Sequence, residues 1–154
     1  MKWHEYFFEL IKVIKQRSKD PNTKVGCVIV GPHNEIRSTG YNSFPRGLDD
    51  NVPERKDRPE KYLWIEHAER NAIFNAARVG VPLDGCVIYM QGLPCTDCAR
   101  AIIQSGIKKI IYDAKEWAKW TSAKYNSELL DKSVRMLTEC GVEIESVNIG
   151  ENNA

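Results

Sequence analysis

The sequence has no excess of charge of either sign. Its 154 residues include 22 lysine and arginine residues against 21 aspartate and glutamate residues, so the formal net charge at pH 7 is +1. A protein that binds nucleic acid tightly usually carries a clear basic excess, because its phosphate contacts depend on cations. The balance therefore favours a small substrate over a polymer, and we expect no nucleic-acid partner.

Long hydrophobic runs are also missing. The chain has no stretch of about 18 apolar residues, the length typical of a transmembrane helix. Charged residues interrupt the apolar ones near the N-terminus, which therefore lacks the continuous apolar segment of a signal peptide. We expect a cytoplasmic protein without a membrane partner.

Cysteine is scarce, and its count of five is odd, which excludes complete pairing into disulfides. Cys95 and Cys98 have a spacing typical of metal ligands, which indicates a reducing compartment where thiols remain available. The other three, Cys27, Cys86 and Cys140, are predicted to be small packing residues.

Length and hydrophobic pattern predict one α/β domain over residues 1–149, followed by a short flexible tail at 150–154. Helices are predicted at 3–17, 66–78, 95–105 and around Leu129 to Leu137, and strands at 25–30, 36–41, 86–90, 108–112 and 142–147. Strands separated by single helices imply a mainly parallel sheet with helices on both faces, and the first two strands form an antiparallel hairpin at its edge. Residues 42–64 are predicted to be a long ordered loop, a kind that often carries function.

Two short motifs carry the chemistry: His67-Ala68-Glu69 and Pro94-Cys95-Thr96-Asp97-Cys98. Each begins a predicted helix, where the positive end of the helix dipole helps to hold thiolates deprotonated. A catalytic zinc usually takes three protein ligands and leaves its fourth position to water. We predict one zinc per chain, bound by His67, Cys95 and Cys98, with Glu69 close enough to reach that water.

A closed structural zinc site is the alternative interpretation. Its fourth ligand would be Cys27, Cys86 or His33, although none of them lies near either motif at a short ligand spacing. A structural site would also have no need of Glu69 or of the adjoining Pro94. A water molecule on the metal would distinguish the catalytic site from the structural one.

Together the two motifs resemble those of zinc-dependent nucleobase deaminases. Almost the whole chain resembles deoxycytidylate (dCMP) deaminases. The resemblance depends on three segments read together: Gly40-Tyr41-Asn42-Ser43-Phe44-Pro45-Arg46-Gly47, Asp49-Asp50 and 67–73. The resemblance implies a cytidine-deaminase-like three-layer αβα sandwich with a mixed five-stranded sheet. It also implies hydrolytic deamination of dCMP to dUMP and ammonia, in which zinc-bound hydroxide attacks C4 of cytosine, Glu69 moves the proton, and dUMP feeds thymidylate synthesis.

The resemblance also implies residues that bind the nucleotide substrate. Asn42 is expected to hold the sugar and base, the backbone of Ala68 to contact the pyrimidine, and the loop around Arg46 to bind phosphate or an allosteric nucleotide. Tyr112 ends a predicted parallel strand at the edge where ligands usually bind, so it is a candidate to stack on the base. Independently of the resemblance, the loop has cations that suit a monophosphate: Arg46, Arg55, Lys56, Arg58 and Lys61.

Regulation is a further implication of the resemblance. Family members are commonly hexamers that dCTP activates and dTTP inhibits, with Mg2+ as a candidate companion of the allosteric nucleotide. The effector-binding candidates are Ser43, which stands where many relatives have glycine, together with Gly47, Asp49 and Arg78. For Arg78, a surface charge near a helix C-terminus is the alternative.

Other functions remain open at this stage. The aromatic residues Trp117, Trp120 and Tyr125 could cover the substrate, line a subunit contact or anchor a loop. The same zinc and Glu69 would also serve a deaminase of a free nucleoside, of a base or of adenosine in tRNA. A non-catalytic zinc-binding module is the alternative outside enzymes.

Overall fold

The computed structural model describes residues 1–120 and 127–150. The helices are α1 (Trp3–Ile14), α2 (Lys61–Trp64), α3 (Ala68–Val79), α4 (Thr96–Gln104), α5 (Ala114–Trp120) and α6 (Ser127–Glu139), and the strands are β1 (Gly26–Val30), β2 (Ile36–Tyr41), β3 (Val87–Met90), β4 (Lys109–Asp113) and β5 (Glu143–Val147). In the described ranges, no helix is both long enough and apolar enough to cross a membrane. Beyond Gly150, the predicted tail lies outside the described residues.

The five strands form one mixed sheet in the order β2-β1-β3-β4-β5. Strand β1 pairs antiparallel with both β2 and β3, whereas β3, β4 and β5 pair in parallel. The N-terminal hairpin therefore occupies one edge of the sheet. This arrangement confirms the mixed sheet that the alternation of strands and helices predicts.

Two apolar clusters lie on opposite faces of the sheet and define its helical layers. Helix α1 contributes Phe7, Phe8 and Ile11 to the cluster that contains Val28 and Tyr89. Helices α3, α4 and α6 cover the opposite face; their core residues include Ala72, Ile102 and Leu137, which pack with Ile29 and Ile88 of the sheet. Strand β1 is buried along its whole length because helices cover both of its faces. The three-layer αβα sandwich is confirmed.

Two segments differ from the sequence-based expectation. The predicted loop at 42–64 contains a 3-10 helix at Pro53–Lys56 and the single turn of α2. Helix α5 was not predicted; it begins where the Asp113 carboxylate accepts hydrogen bonds from the backbone N–H groups of Lys115 (2.9 Å) and Glu116 (3.4 Å). Such short, charged helices are hard to predict, because they repeat too few apolar positions to show helical periodicity.

The backbones of α3 and β2 approach closely, and a glycine permits this contact. A Cβ atom on Gly40 would lie 2.1 Å from the carbonyl oxygen of Ala68 and 2.5 Å from the amide nitrogen of Ala72. Nearby, the Ser38 hydroxyl donates a hydrogen bond to the carbonyl oxygen of Ala72 (2.7 Å). The first turns of α3 are thus held against the sheet, which fixes the position of the preceding residue, His67.

Candidate active site

The N-terminal ends of α3 and α4 bring three soft donor atoms together. His67 is the N-cap of α3 and Cys95 the N-cap of α4, while Cys98 lies in the first turn of α4. The His67 Nδ1 atom lies 3.4 Å from Cys95 Sγ and 3.5 Å from Cys98 Sγ, and all three donor atoms lie within 4.8 Å of one another. The described residues contain one such group of histidine, cysteine, aspartate and glutamate side chains, and these three are its members.

The two sulfur atoms compete for protons. The hydrogen bond from the Cys98 sulfur lowers the pKa of the Cys95 thiol to about 4. The same contact, together with burial, raises the pKa of Cys98. One imidazole nitrogen and two sulfurs, one of them already favoured as thiolate, form a donor set that suits zinc.

Glu69 lies beside this cluster without belonging to it. It is in the first turn of α3, is only 9% exposed, and its Oε2 lies 3.5 Å from Cys98 Sγ. Burial raises the pKa of the Glu69 carboxyl group, because a low-dielectric environment disfavours its charged form. A carboxyl group held in this way is suited to accept and return a proton near neutral pH.

The candidates for a fourth protein ligand lie apart from the cluster. Cys27 is buried, and its thiol donates a hydrogen bond to the carbonyl oxygen of Ala68 (3.3 Å). Cys86 is buried in the core, and His33 is exposed. The expectation that Cys140 is a packing residue was wrong, because its side chain is exposed just beyond the end of α6.

A polar network joins the two helix ends that carry the donor atoms. The Glu66 carboxylate accepts hydrogen bonds from the backbone N–H of His67 (3.0 Å) and from Nε of Arg70 (2.6 Å). Arg70 also pairs with Asp97 of α4 at 3.3 Å. Sequence motifs did not indicate Glu66 or Arg70 as part of the site, because their role depends on the approach of α3 to α4.

The donor cluster opens into a cavity of about 760 Å³, which we call the substrate cavity; His67, Ala68, Glu69 and Cys95 line it. Asn42 also lines it and is 7% exposed. The volume is in the range of small-molecule sites. Two of the predicted substrate-binding residues, Asn42 and Ala68, therefore lie at this cavity.

Cations and aromatic rings form other parts of the wall of the substrate cavity. Lys24, Arg58 and Lys119 line it, together with Trp117 and Trp120 of α5. No sequence motif marks Lys24 or Lys119, because they lie in separate segments that only the fold brings together. Tyr125, the third aromatic residue of the predicted group, lies outside the described residues.

A second glycine contact places α5 at this cavity. Gly92 lines the cavity, and a Cβ atom on it would lie 2.0 Å from Cε3 of Trp117. Only a glycine leaves room for the indole ring here. The segment before Cys95 and helix α5 are therefore in direct contact beside the donor cluster.

Two predicted substrate residues lie elsewhere. Arg46 donates a hydrogen bond to Asn75 Oδ1 (2.7 Å) and lines a different cavity. Tyr112 is half-buried at the end of β4 and is not among the residues that line the substrate cavity. The carboxyl end of the strand is near the site, but α5 follows immediately and supplies the aromatic lining in its place.

The cavity that Arg46 lines has a volume of about 200 Å³, and we call it the basic cavity. Its other cations are Arg17, Lys19, Arg55, Lys56 and Lys61, of which Lys19 pairs with Asp50 and Lys61 with Asp20 in the wall of the same cavity. Ser43 and Gly47 line it, whereas Asp49 and Arg78 do not. Asp49 still contributes indirectly, since its carbonyl oxygen accepts a hydrogen bond from Arg55 (2.8 Å). Arg78 lies exposed in the last turn of α3.

Comparison with known proteins identifies relatives of this chain. The family model of the cytidine and deoxycytidylate deaminase zinc-binding region matches residues 1–114. A probable deoxycytidylate deaminase of Caenorhabditis elegans is 47% identical over 115 residues, which are 73% of this chain and 57% of the worm protein. The mouse deoxycytidylate deaminase is 35% identical over 160 residues, covering 96% of this chain and 89% of the mouse protein.

A solved structure agrees with the fold. The dCMP deaminase of cyanophage S-TIM5, crystallised with dCMP and dUMP, superposes with a TM-score of 0.73 at 26% identity, and the match covers 96% of this chain and 99% of the phage chain. The matched family region includes the helix ends that carry His67, Cys95 and Cys98. From its sequence and its fold, this chain belongs to the cytidine and deoxycytidylate deaminase family.

Proposed function

We propose that this protein is a zinc-dependent hydrolase that deaminates dCMP to dUMP and ammonia, and that its product serves thymidylate synthesis. The observation that carries the proposal is the position of Glu69, a buried carboxyl group beside a histidine and two cysteines at the wall of a cavity of nucleotide size. The deoxycytidylate deaminases among the relatives support dCMP as the substrate.

The metal site fits zinc with three protein ligands, His67, Cys95 and Cys98. All three donors are nitrogen or sulfur, and no fourth donor from the described residues joins them, so a zinc ion held there would have its fourth position available for water. When bound there, zinc supplies the Lewis acidity that makes water nucleophilic at neutral pH.

Glu69 is the proton carrier in this proposal. Its carboxylate accepts a proton from the attacking water as the water oxygen adds to C4 of the cytosine ring. Glu69 then delivers that proton to N3, takes the second water proton from the new hydroxyl group on C4 and passes it to the exocyclic amine, so the C4 carbonyl forms, the C4–N bond breaks and ammonia leaves. Burial raises the pKa of Glu69, which is the direction that favours holding a proton between these steps.

Substrate binding follows from the residues that line the substrate cavity. Asn42 holds the sugar and base, and the backbone of Ala68 contacts the pyrimidine ring. For the monophosphate, Lys24, Arg58 and Lys119 are better placed than Arg46, because they line the same cavity as Glu69. The indole rings of Trp117 and Trp120 replace Tyr112 as the aromatic wall beside the base.

The basic cavity is the proposed effector site. Its cations suit the phosphates of a nucleoside triphosphate, with dCTP as activator and dTTP as inhibitor, and Mg2+ would accompany the phosphates. Ser43 and Gly47 line this cavity, and Arg46 joins them there as an effector ligand in place of its expected substrate role. Arg78 does not line this cavity, so its role as an effector ligand stays a prediction.

Assembly and location extend the proposal. We expect a homo-oligomer, and the resemblance to the family implies a hexamer. Sedimentation would measure the assembly, and a monomer at working concentration would contradict it. The cytoplasmic location stays a prediction, as does the division into a domain at 1–149 and a tail.

A substrate panel tests the proposed function. Ammonia release is measured with dCMP, CMP, deoxycytidine, cytosine and an adenosine-containing RNA, under identical conditions and with equal zinc content. Selective turnover of dCMP is expected, because a cationic cavity wall favours a monophosphate over a nucleoside or base. Turnover of RNA alone would overturn the choice of substrate, and zinc binding without any ammonia release would favour the non-catalytic module.

A further inference from the structure

One ion pair of this protein is almost completely buried, and it lies between the two cavities. Lys61 Nζ and Asp20 Oδ2 are 2.8 Å apart, and their side chains are 6% and 3% exposed. In the surface ion pairs of the described residues, by contrast, both side chains are at least 21% exposed. Burying two charges costs free energy that their attraction often does not recover, so stability alone is a weak reason for such a pair.

The pair forms a wall that the substrate cavity and the basic cavity share. Asp20, Lys61 and the neighbouring Ile65 line both cavities. Ile65 continues directly into Glu66 and His67, and its backbone N–H donates to the carbonyl oxygen of Lys61 (2.9 Å). The pair is therefore part of the wall that faces the substrate.

Hydrogen bonds connect Asp20 to Asn42 step by step. Asp20 Oδ1 accepts from the backbone N–H groups of Asn22 (2.8 Å) and Thr23 (3.1 Å). The carbonyl oxygen of Thr23 accepts from Asn42 Nδ2 (2.8 Å), and Asn42 Oδ1 accepts from the backbone N–H of Val25 (2.8 Å). The two carboxylate oxygens of Asp20 thus have different partners, since one pairs with Lys61 and the other holds the backbone that orients Asn42.

We propose that Asp20 and Lys61 are positioning residues for substrate binding, which hold segment 20–25 so that the Asn42 side chain faces the nucleotide in one orientation. This inference rests on the proposed function and deepens it. Lys61 anchors the carboxylate, the carboxylate fixes the two backbone N–H groups, and segment 20–25 locks both polar atoms of the Asn42 amide. The pair touches neither Glu69 nor the three donor residues, so it acts on binding and leaves the chemical step unchanged.

The test compares four variants with the wild-type enzyme. Asp20→Asn keeps an acceptor oxygen but loses the charge, Asp20→Ala loses both, and Lys61→Met removes the anchor. The double variant Asp20→Ala with Lys61→Met leaves no unpaired buried charge, so it keeps the fold even if a single variant does not. Lys132→Met is the matched control, because its partner Glu128 is 3.2 Å away in an exposed pair on α6.

Two measurements test whether the pair positions Asn42. In the double variant, we expect the KM for dCMP to rise about 10-fold, kcat to stay within about 2-fold of the wild-type value, and the zinc content to be unchanged. The reason is that a correctly oriented Asn42 stabilises the bound substrate and the transition state equally, so its loss raises KM alone. Amide hydrogen exchange at 22–25 becomes faster in the same variant because the carboxylate no longer holds those N–H groups. Asp20→Asn gives smaller changes than Asp20→Ala, and the control matches the wild type in both measurements.

Two results would overturn the proposal. A folded, zinc-loaded double variant with the wild-type KM means that the pair has no positioning role, and so does unchanged exchange at 22–25. Failure of the proposed function is a separate outcome: dCMP is excluded if the wild-type enzyme turns over another member of the substrate panel and does not turn over dCMP. The exchange measurement and the KM for that other substrate then still decide the role of the pair.

Discussion

At the scale of single residues, two buried carboxyl groups of this protein differ in their chemistry because their hydrogen-bond partners differ. Glu69 and Asp20 are both buried carboxyl groups, 9% and 8% exposed. For Glu69 burial dominates and raises the pKa, whereas for Asp20 hydrogen bonds from Lys61, Asn22 and Thr23 outweigh burial and lower it. One carboxyl group is thereby prepared to carry a proton and the other to stay charged.

Replacing Glu69 by Gln preserves the shape of the side chain but removes its ability to carry a proton. We expect kcat to fall by at least about 100-fold, the lower limit typical of a general acid–base residue, with zinc still bound at wild-type content. An ammonia-release assay measures kcat, and metal analysis of the same sample measures the zinc content. If the variant turns over at the wild-type rate, Glu69 is not the proton carrier.

Asp20 makes the stability of the fold depend on pH. Its folded-state pKa is lower than the 3.8 of an unperturbed carboxyl group, so its stabilising contribution is present above pH 3.8 and is lost as the pH falls through the lower folded-state value. Urea unfolding at a series of acidic pH values measures this. The Asp20→Asn variant should lose less free energy of unfolding over that acidic range than the wild type does, and parallel curves would contradict the assignment.

At the scale of elements, the site depends on how closely α3 packs on β2. There is no space for a Cβ atom on Gly40 of β2, because that atom would lie 2.1 Å from the Ala68 carbonyl oxygen. His67, as the N-cap of α3, moves with that helix. The sequence predicts both elements, but it does not reveal that their backbones touch.

Gly40→Ala should therefore affect both stability and the metal site. We expect the free energy of unfolding to fall by about 1–3 kcal/mol, as overpacking typically costs, and the affinity for zinc to fall with it. Gly141→Ala is the comparison: its φ is 79° with nothing within 4 Å of an added Cβ, so it should cost about 1 kcal/mol of conformational strain and leave zinc affinity unchanged. Equal zinc affinities in the two variants would contradict this link.

At the scale of the whole molecule, the candidate metal site lies between the N-terminal ends of two successive helices, α3 and α4. Zinc bound by His67 of α3 and by Cys95 and Cys98 of α4 would hold those two helix ends together. His67, Cys95 and Cys98 are not members of the apolar clusters on the two faces of the sheet, so the fold should survive loss of the metal.

Removing zinc with a chelator should abolish turnover and lower Tm while the far-UV circular dichroism stays close to that of the loaded protein. With free zinc about 1,000-fold above its Kd, binding adds about 4 kcal/mol to the free energy of unfolding. Metal analysis of the loaded protein should give one zinc per chain. Two zinc ions per chain, or no change of Tm on chelation, would contradict the proposed site.

The sequence by itself determined the local features: the periodicity of the main helices and strands, the antiparallel hairpin, and the motifs that hold His67, Glu69, Cys95 and Cys98. These features depend on residues that are only a few positions apart, so the amino-acid sequence shows them directly. Only the tertiary structure decided that Asp20 pairs with Lys61, that Lys24 and Lys119 share the cavity of Glu69, and that Arg46 lies in a different one. Such contacts join segments far apart in sequence, and their geometry is set by how the helices pack on the sheet.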